Sequence, residues 1–279
     1  MSSVRAGTLY LVSTPIGNLG DMTHRAVEVL SSAALVIAED TRHSRRLLDH
    51  YKISTPLKSY HEHNEAQETP RLVARLRAGD SVALISDAGT PLISDPGSRL
   101  VAAALEANLP VIPIPGASAV MAAIVGSGLP LERFTYLGFL PRKGRERSEM
   151  IADVVAAHST VVLFEAANRV GATLDALADA GAGNRPAVVA RELTKQFEEF
   201  KRGSVAELAG IYKEVDPKGE VVLVIGGAEK STVSESELSD AARKLRASGN
   251  SPRDVMEHLM SGLGAPRNLA YRLAHEVDS

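Results

Sequence analysis

Cysteine and tryptophan are both absent from this 279-residue chain, and aromatic residues make up only 4% of it. Without cysteine the protein has no disulfide, no thiolate zinc site and no cysteine nucleophile. This composition agrees with a reducing cytoplasm, which is where we expect the protein to act. The chain also lacks a run of about 18 apolar residues, the length that a membrane-spanning helix requires. We therefore expect a soluble protein with no membrane partner.

An excess of basic charge is missing too, since 31 Lys and Arg residues stand against 34 Asp and Glu residues, a net charge of −3. Nucleic-acid binders usually carry a basic footprint, so contact with RNA would have to come from local clusters. The opening residues MSSVRAGTLYLVSTPIG lack the basic segment and apolar core of a secretory signal, and we expect none.

Short apolar runs alternate with helical patterns along the first part of the chain, which is typical of βαβ units and a parallel sheet. Residues 1–124 are predicted to form one α/β domain, and residues 125–229 a second with a mixed sheet. The mixed sheet is expected because residues 196–203 alternate in polarity, as an antiparallel strand does. Residues 230–279 predict three helices over 234–247, 252–261 and 265–277, an arrangement resembling a helix-turn-helix. A helical lid or a dimer contact is an equally good interpretation of this tail.

The loops that follow the predicted parallel strands carry most of the candidate site residues. Ligands of open α/β sheets bind at the carboxyl ends of the strands, where these loops meet. Their sequences are TPIGNLGD from residue 14, AEDTR from 38, SDAGTP from 86 and PGASA from 115. None is a dinucleotide-binding glycine motif or a P-loop. Asp87 argues against a phosphate ligand, because such turns favour anions, and a ligand with positive charge and hydroxyl groups fits better.

The phrase Ile-Ser-Asp occurs twice within residues 85–95, and its two copies predict different roles. Asp87 ends an apolar strand and precedes a glycine, which favours a ligand-binding turn. Asp95 is followed by Pro96, a pattern that predicts a helix start with Asp95 as its cap.

Several acidic and histidine residues follow the predicted strands. Glu39 and Asp40 precede a helix that Asp40 can cap, but two adjacent carboxylates are more than a cap needs, so one is expected to face substrate. His61 and His63 lack a third residue at zinc-type spacing, so we predict that they and Asn64 contact substrate and that no metal is bound.

Basic residues cluster in two places that suit RNA phosphates, although a solvated surface explains each cluster equally well. Three of them share one face of a predicted helix: Arg42, Arg45 and Arg46. Four more form a dense loop: Arg142, Lys143, Arg145 and Arg147. At strand ends of the second domain come Glu165, Arg169, Arg191, Glu192 and Lys195, either as cleft-lining residues or as buried ion pairs.

Eight ordered motifs of this chain are similar to those of the tetrapyrrole-methylase superfamily, and more closely to its ribosomal RNA small-subunit methyltransferase I branch. The motifs are TPIGNLGD, AEDTR, YHEHNE, GDSVALISDAGTPLISDPG, PGASA, GFLPRKG, FEAANR and ARELTK. They extend over residues 7–227, and the tail resembles the C-terminal helical domain of that branch. Many small-molecule members have Gly-Asp-Pro where this chain has Gly89-Thr90-Pro91, a departure that favours RNA over a corrinoid substrate.

The resemblance implies two α/β domains with S-adenosylmethionine bound in the cleft between them, and a homodimer. It implies methyl transfer to the ribose 2′-oxygen of a decoding-region cytidine of 16S rRNA, within the small ribosomal subunit. The implied cofactor-binding residues are Pro15, Gly17, Asp87, Gly89, Thr90, Ile93, Ser118, Ala119 and Phe164.

The methyl transfer requires a general base for a weakly acidic hydroxyl, and the residues leave five candidates. They are Glu39, Asp40, Glu165, Glu192 and Lys195. The RNA-contacting candidates are Arg42, Arg45, Arg46, His61, His63, Asn64, Arg142, Lys143, Arg145, Arg147, Arg169 and Arg191.

Two other functions compete with this interpretation. A tetrapyrrole, corrinoid or diphthine-type methyltransferase would have no need of the basic loop and the helical tail. A non-catalytic RNA-binding factor for ribosome assembly would have no need of intact cofactor loops.

Overall fold

A computed structural model describes residues 4–215, 217–229 and 234–276 of the chain. The backbone divides into two compact units, Met1–Ala228 and Glu229–Ser279. The first unit holds two five-stranded sheets and the second is helical.

The first sheet is parallel throughout, as the continuous apolar runs predict, with the strand order β3-β2-β4-β1-β5. Its strands are β1 Leu9–Val12, β2 Leu35–Ala38, β3 Leu57–Ser59, β4 Val82–Ile85 and β5 Val111–Ile114. Its helices are α1 His24–Ser32, α2 Thr41–His50, α3 Glu65–Arg77 and α4 Ser98–Glu106. All residues of β2 and β4 are buried because helices cover both faces of the sheet.

The starts of α2 and α4 test two predicted caps. Asp40 caps α2 as predicted, accepting hydrogen bonds from the backbone N–H groups of Arg42 and His43. The predicted cap at Asp95 is wrong, because α4 begins at Ser98 and Gly97 occupies the cap position with φ of 132°. A Cβ on Gly97 would lie 2.6 Å from Leu84 Cδ2, so packing against β4 sets the start of this helix.

The second sheet is mixed, as predicted, with the strand order β6-β7-β10-β8-β9. Its strands are β6 Phe134–Phe139, β7 Thr160–Ala166, β8 Pro186–Arg191, β9 Glu199–Ser204 and β10 Glu220–Ile225. β6 and β7 are parallel, and the remaining pairs are antiparallel. One face packs on α6 Arg145–Ala156, α7 Val170–Leu177 and α8 Val205–Tyr212. A short π-helical turn, Ala178–Ala182, continues α7.

Helix α5, Ala119–Ser127, covers the other face of the second sheet. Val120, Ala123 and Ile124 are buried against Val188 and Val222. The sequence analysis did not assign α5 or α8. For α8 a signal was present, since Ser204 and Glu207 form a capping box at its start.

The helical unit consists of α9 Glu235–Ala247, α10 Pro252–Ser261 and α11 Arg267–Glu276, close to the three predicted helices. Its own core includes Leu238, Val255, Leu259 and Leu273. The predicted end of the third helix at residue 277 and the predicted domain start at residue 230 lie outside the described residues.

In the described part of the chain, no helix combines the length and the apolar character needed to cross a membrane.

Candidate active site

Backbone hydrogen bonds join the loops that follow β1 and β4. Thr14 N donates to the Gly89 carbonyl over 2.8 Å, and Gly89 N donates to the Thr14 carbonyl over 3.1 Å. Gly89 has φ of +82°, and a Cβ on it would lie 3.1 Å from Ile16 Cγ2. The left-handed backbone and the close approach both favour glycine at this turn.

Hydroxyl groups extend the connection to the loop after β5. Ser13 Oγ donates to Thr90 Oγ1 over 3.1 Å, and Thr90 Oγ1 donates to the Ala117 carbonyl over 3.2 Å. Asp40 N donates to Asp87 Oδ1 over 3.2 Å, which adds the loop after β2. Four loops at the carboxyl ends of the parallel strands therefore form one connected surface, which we call the parallel-sheet side.

The facing surface, here the mixed-sheet side, comes from β6, β7, β10 and the segment after β8. The ring centroid of Phe164 lies 5.1 Å from that of Tyr136 and 5.4 Å from that of Phe139, both in edge-on geometry. These rings supply an apolar surface opposite the parallel-sheet side.

A cavity of about 380 Å³ lies between the two sides, a volume typical of ligand pockets. Its lining from the parallel-sheet side is Ile16, Asp87, Ala88, Gly89, Thr90, Ile93, Ser94, Asp95, Ser118, Ala119 and Val120. Its lining from the mixed-sheet side is Phe139, Phe164, Glu165, Ala166, Leu193, Gly219, Glu220, Val221 and Val222.

Seven of the nine predicted cofactor-binding residues line this cavity: Asp87, Gly89, Thr90, Ile93, Ser118, Ala119 and Phe164. Pro15 and Gly17 do not line it, and their neighbour Ile16 does. Gly17 packs instead on the segment after β8, where a Cβ on it would lie 2.5 Å from Lys195 Cγ. Asn18 N donates to Thr194 Oγ1 over 3.0 Å, so this loop connects the two sides.

Three carboxylates approach one another on the parallel-sheet side: Glu39, Asp87 and Asp95. Burial, together with the negative charges of Glu39 and Asp87, raises the pKa of Asp95 to about 6. Burial and the charge of Asp87 also raise the pKa of Glu39. In the described ranges, no lysine or arginine forms an ion pair with any of the three.

Glu165, on the mixed-sheet side, is buried and fully bonded. One oxygen accepts a hydrogen bond of 2.8 Å from Ala166 N, and the other accepts one of 2.6 Å from Thr173 Oγ1. Arg169 Nε lies 3.3 Å from Oε1. Glu165 is thus held as part of a structural ion pair, which speaks against its predicted role as a base.

Glu192 and Lys195 form a second paired group, next to the cavity. Lys195 Nζ lies 2.8 Å from Glu192 Oε1 and 3.0 Å from Glu220 Oε2. Hydrogen bonds from Lys195 and from the backbone of Glu220 lower the pKa of Glu192. Burial alone would lower the pKa of Lys195, but its bonds to Glu192 and Glu220 outweigh it and raise that pKa. Neither group is suited to accept a proton at neutral pH.

Three of the predicted RNA-contacting arginines bond mainly to the protein itself. Arg169 donates to the carbonyls of Leu140 and Pro141. Arg147 donates to the Pro141 carbonyl and to Thr173. Arg191 pairs with Glu199.

The other predicted RNA contacts are mostly exposed. Arg42 is paired with Asp40 and Arg145 with Glu149. In the described ranges no ion pair is formed by Arg45, Arg46, Arg142 or Lys143.

The histidine segment has a structural component. Asn64 Oδ1 accepts a hydrogen bond of 2.9 Å from His61 N, so Asn64 stabilises the turn before α3. The rings of His61 and His63 lie 5.9 Å apart, and His61 Nδ1 is buried without a partner in the described structure. Within the described residues, no group of three or more acidic or histidine side chains is placed to hold a metal ion.

Sequence reasoning missed two cavity residues. Asp95 was assigned to a helix cap because its Asp-Pro pattern matches one. Phe139 is 55% exposed and lines the cavity; its position at the end of a predicted strand was the available signal.

Residues 8–209 match the family model described as tetrapyrrole (corrin/porphyrin) methylases. A ribosomal RNA small subunit methyltransferase I from Synechocystis sp. is 47% identical to this chain, and the match covers 98% of this chain and 99% of that protein. Among solved structures, uroporphyrin-III-C-methyltransferase from Thermus thermophilus superposes with a TM-score of 0.57 at 23% identity, covering 79% of this chain and 94% of that one. A structure of this enzyme complexed with S-adenosylhomocysteine has a TM-score of 0.54 at 18% identity, covering 78% and 96% of the two chains.

Proposed function

The chain belongs to the tetrapyrrole (corrin/porphyrin) methylase family, and we propose that it is an S-adenosylmethionine-dependent methyltransferase of 16S ribosomal RNA. Its substrate would be the ribose 2′-hydroxyl of a decoding-region cytidine in the small ribosomal subunit. The observation that carries the proposal is the cavity between the two sides, because its lining contains seven residues that the family resemblance assigns to the cofactor. The near full-length identity to a ribosomal RNA methyltransferase supports RNA as the substrate.

The cavity fits S-adenosylmethionine in charge and shape. Asp87 and Asp95 face the cavity without a paired lysine or arginine in the described ranges, which suits a cationic ligand. Phe164 and Phe139 offer apolar surface to a flat ring, and the glycine turn at Gly89 lets the backbone approach closely. When bound, this cofactor supplies an electrophilic methyl group with a good leaving group.

The protein's own contribution is alignment and proton removal. The hydrogen bonds among the loops after β1, β4 and β5 hold the cavity lining in place, so the reacting atoms are positioned before reaction. Arg45, Arg46, Arg142 and Lys143 are proposed to hold RNA phosphates, which positions the substrate without reading its sequence. A cytoplasmic location follows from this substrate.

Calorimetry with S-adenosylmethionine tests the cofactor part of the proposal. Ala119 lines the cavity at the start of α5, and Ala119→Phe should fill it and weaken binding by on the order of 100-fold. Ala66→Phe, on the exposed surface of α3, is the matched control and should bind like the wild type. The cofactor part is wrong if the wild-type protein binds neither S-adenosylmethionine nor S-adenosylhomocysteine.

Labelled methyl transfer to small ribosomal subunits tests the substrate. We expect label in 16S rRNA at a single ribose 2′-oxygen. Label only in a tetrapyrrole or in protein would favour the small-molecule or diphthine-type alternative. RNA binding without transfer would favour a non-catalytic assembly factor.

We also propose that the protein is a homodimer. Met121 and Val125 lie one turn apart on α5 and are 49% and 63% exposed. Exposed apolar residues at this spacing are typical of a protein contact. Sedimentation of the wild type and of Val125→Glu would test it, since the variant should shift toward monomer.

The domain division is proposed with one change. Helix α5 packs on the second sheet, and the predicted boundary after residue 124 divides it. We therefore place the start of the second domain before Ala119 and keep the helical tail as a third domain with its own core.

A further inference from the structure

Methyl transfer to a ribose hydroxyl needs a group that takes the proton, and the structure removes most of the expected candidates. Glu165 accepts hydrogen bonds on both oxygens and pairs with Arg169. Glu192 and Lys195 are paired with each other. Asp40 accepts the hydrogen bonds that cap α2.

Of the acidic residues that line the cavity, Asp95 is the one left available. Asp87 accepts a hydrogen bond from Asp40 N, Glu165 is fully bonded, and Glu220 is paired with Lys195. Within the described ranges the Asp95 carboxylate has neither a hydrogen bond nor an ion pair, and it is partly buried in the cavity lining.

The segment that carries Asp95 is held in one conformation. Leu92 and Ser94 have φ of 72° and 64°, values that cost free energy for residues other than glycine. The hydroxyl groups of Ser94 and Tyr136 form a 2.7 Å hydrogen bond, which ties the segment to β6 on the opposite side of the cavity. Asp95 follows directly after this anchor, so its position is set from both sides.

We propose that Asp95 is the catalytic residue that accepts the proton of the substrate hydroxyl. The inference rests on the proposed methyl transfer. As the ribose oxygen forms its bond to the methyl carbon, the O–H bond breaks and the proton passes to an Asp95 carboxylate oxygen. The electron pair of the breaking C–S bond stays on sulfur, which becomes a neutral thioether. Asp95 then returns its proton to water.

The charges around Asp95 suit this role. Burial, Glu39 and Asp87 raise its pKa to about 6, so the carboxylate is more basic than an ordinary aspartate and still largely ionised at pH 7.5. Tyr136 faces it from β6, and burial and then the charge of Asp95 raise the pKa of that phenol. His61 acts on Glu39 in the opposite sense, lowering its pKa.

Single-turnover methylation of small ribosomal subunits, with labelled S-adenosylmethionine at saturation, tests the assignment. We expect Asp95→Asn to slow the reaction by about 10²- to 10⁴-fold, the usual contribution of general-base catalysis. Calorimetry should still detect binding of S-adenosylhomocysteine, and Asp95→Glu should recover part of the rate. Asp153→Asn makes the same chemical change at an exposed position of α6 and serves as the matched control.

The pH profile separates a proton acceptor from a structural residue. The wild-type rate should fall below an apparent pKa near 6. Glu39→Gln removes a neighbouring negative charge and should move this acid limb to lower pH. An Asp95→Asn rate within threefold of the wild type, or an unmoved limb in Glu39→Gln, overturns the assignment while leaving the methyl transfer intact. If the wild type itself methylates no RNA, the proposed function fails instead.

Discussion

The two sides of the cavity carry the same kind of acidic side chain in opposite surroundings. On the parallel-sheet side, Glu39, Asp87 and Asp95 approach one another, and in the described ranges no arginine or lysine pairs with them. On the mixed-sheet side, Glu165 is paired with Arg169 and Glu192 with Lys195. Like charges at close range cost stability, whereas paired and hydrogen-bonded carboxylates retain it. The first side is therefore arranged for a ligand and for proton transfer, and the second serves as its support.

The largest effect that would sharpen this comparison is expected at Glu165. Glu165→Ala removes the partner of Arg169 and Thr173 inside the protein, and should lower the free energy of unfolding by about 3–5 kcal/mol. Urea unfolding at pH 7 measures it, with Glu165→Gln expected to lose less because the amide oxygen still accepts a hydrogen bond. A loss below about 1 kcal/mol would mean that the pair is not a support.

Asp95 should show the opposite sign. Its folded-state pKa, about 6, lies above that of an unfolded aspartate, so ionisation opposes folding as the pH rises from about 4 to above 6. After allowance for screening by water, Asp95→Asn should raise the free energy of unfolding by about 1 kcal/mol at pH 8 and leave it unchanged near pH 4. Urea unfolding at both pH values checks this, and a destabilised variant at pH 8 would contradict the comparison.

The smallest effect is expected at the partly exposed pair of Glu192 and Lys195. The pKa of Glu192 is lowered, so the pair stabilises the fold above the unfolded pKa of glutamate and loses this contribution as the pH falls through the folded value. Lys195→Met should cost roughly 0.5–1 kcal/mol at pH 7, with the difference shrinking below pH 4. Thermal unfolding across this pH range would show it, and equal losses at pH 3 and pH 7 would rule out the charge as the cause.

The predictable parts of the site are those that local patterns specify. Asp40 caps α2 as its position before a helix predicts, and the glycine turn at Gly89 lines the cavity. Asp95 was misassigned because Asp-Pro at 95–96 has the local pattern of a helix start. The actual start depends on Gly97 packing against Leu84, a contact between β4 and the segment before α4 that no local pattern contains.

The order of apolar runs and turns by itself determined that the protein has a parallel sheet followed by a mixed one, with ligand-binding loops at the strand ends, because strand and helix periodicity are local properties. The tertiary structure alone decided which carboxylates are paired and which are left to a ligand. Glu165 meets Thr173 across a strand–helix contact, and Asp95 meets Glu39 although 56 positions separate them (95 minus 39). The pKa of a carboxylate depends on the charges and burial around it in space, which its neighbours along the chain do not specify.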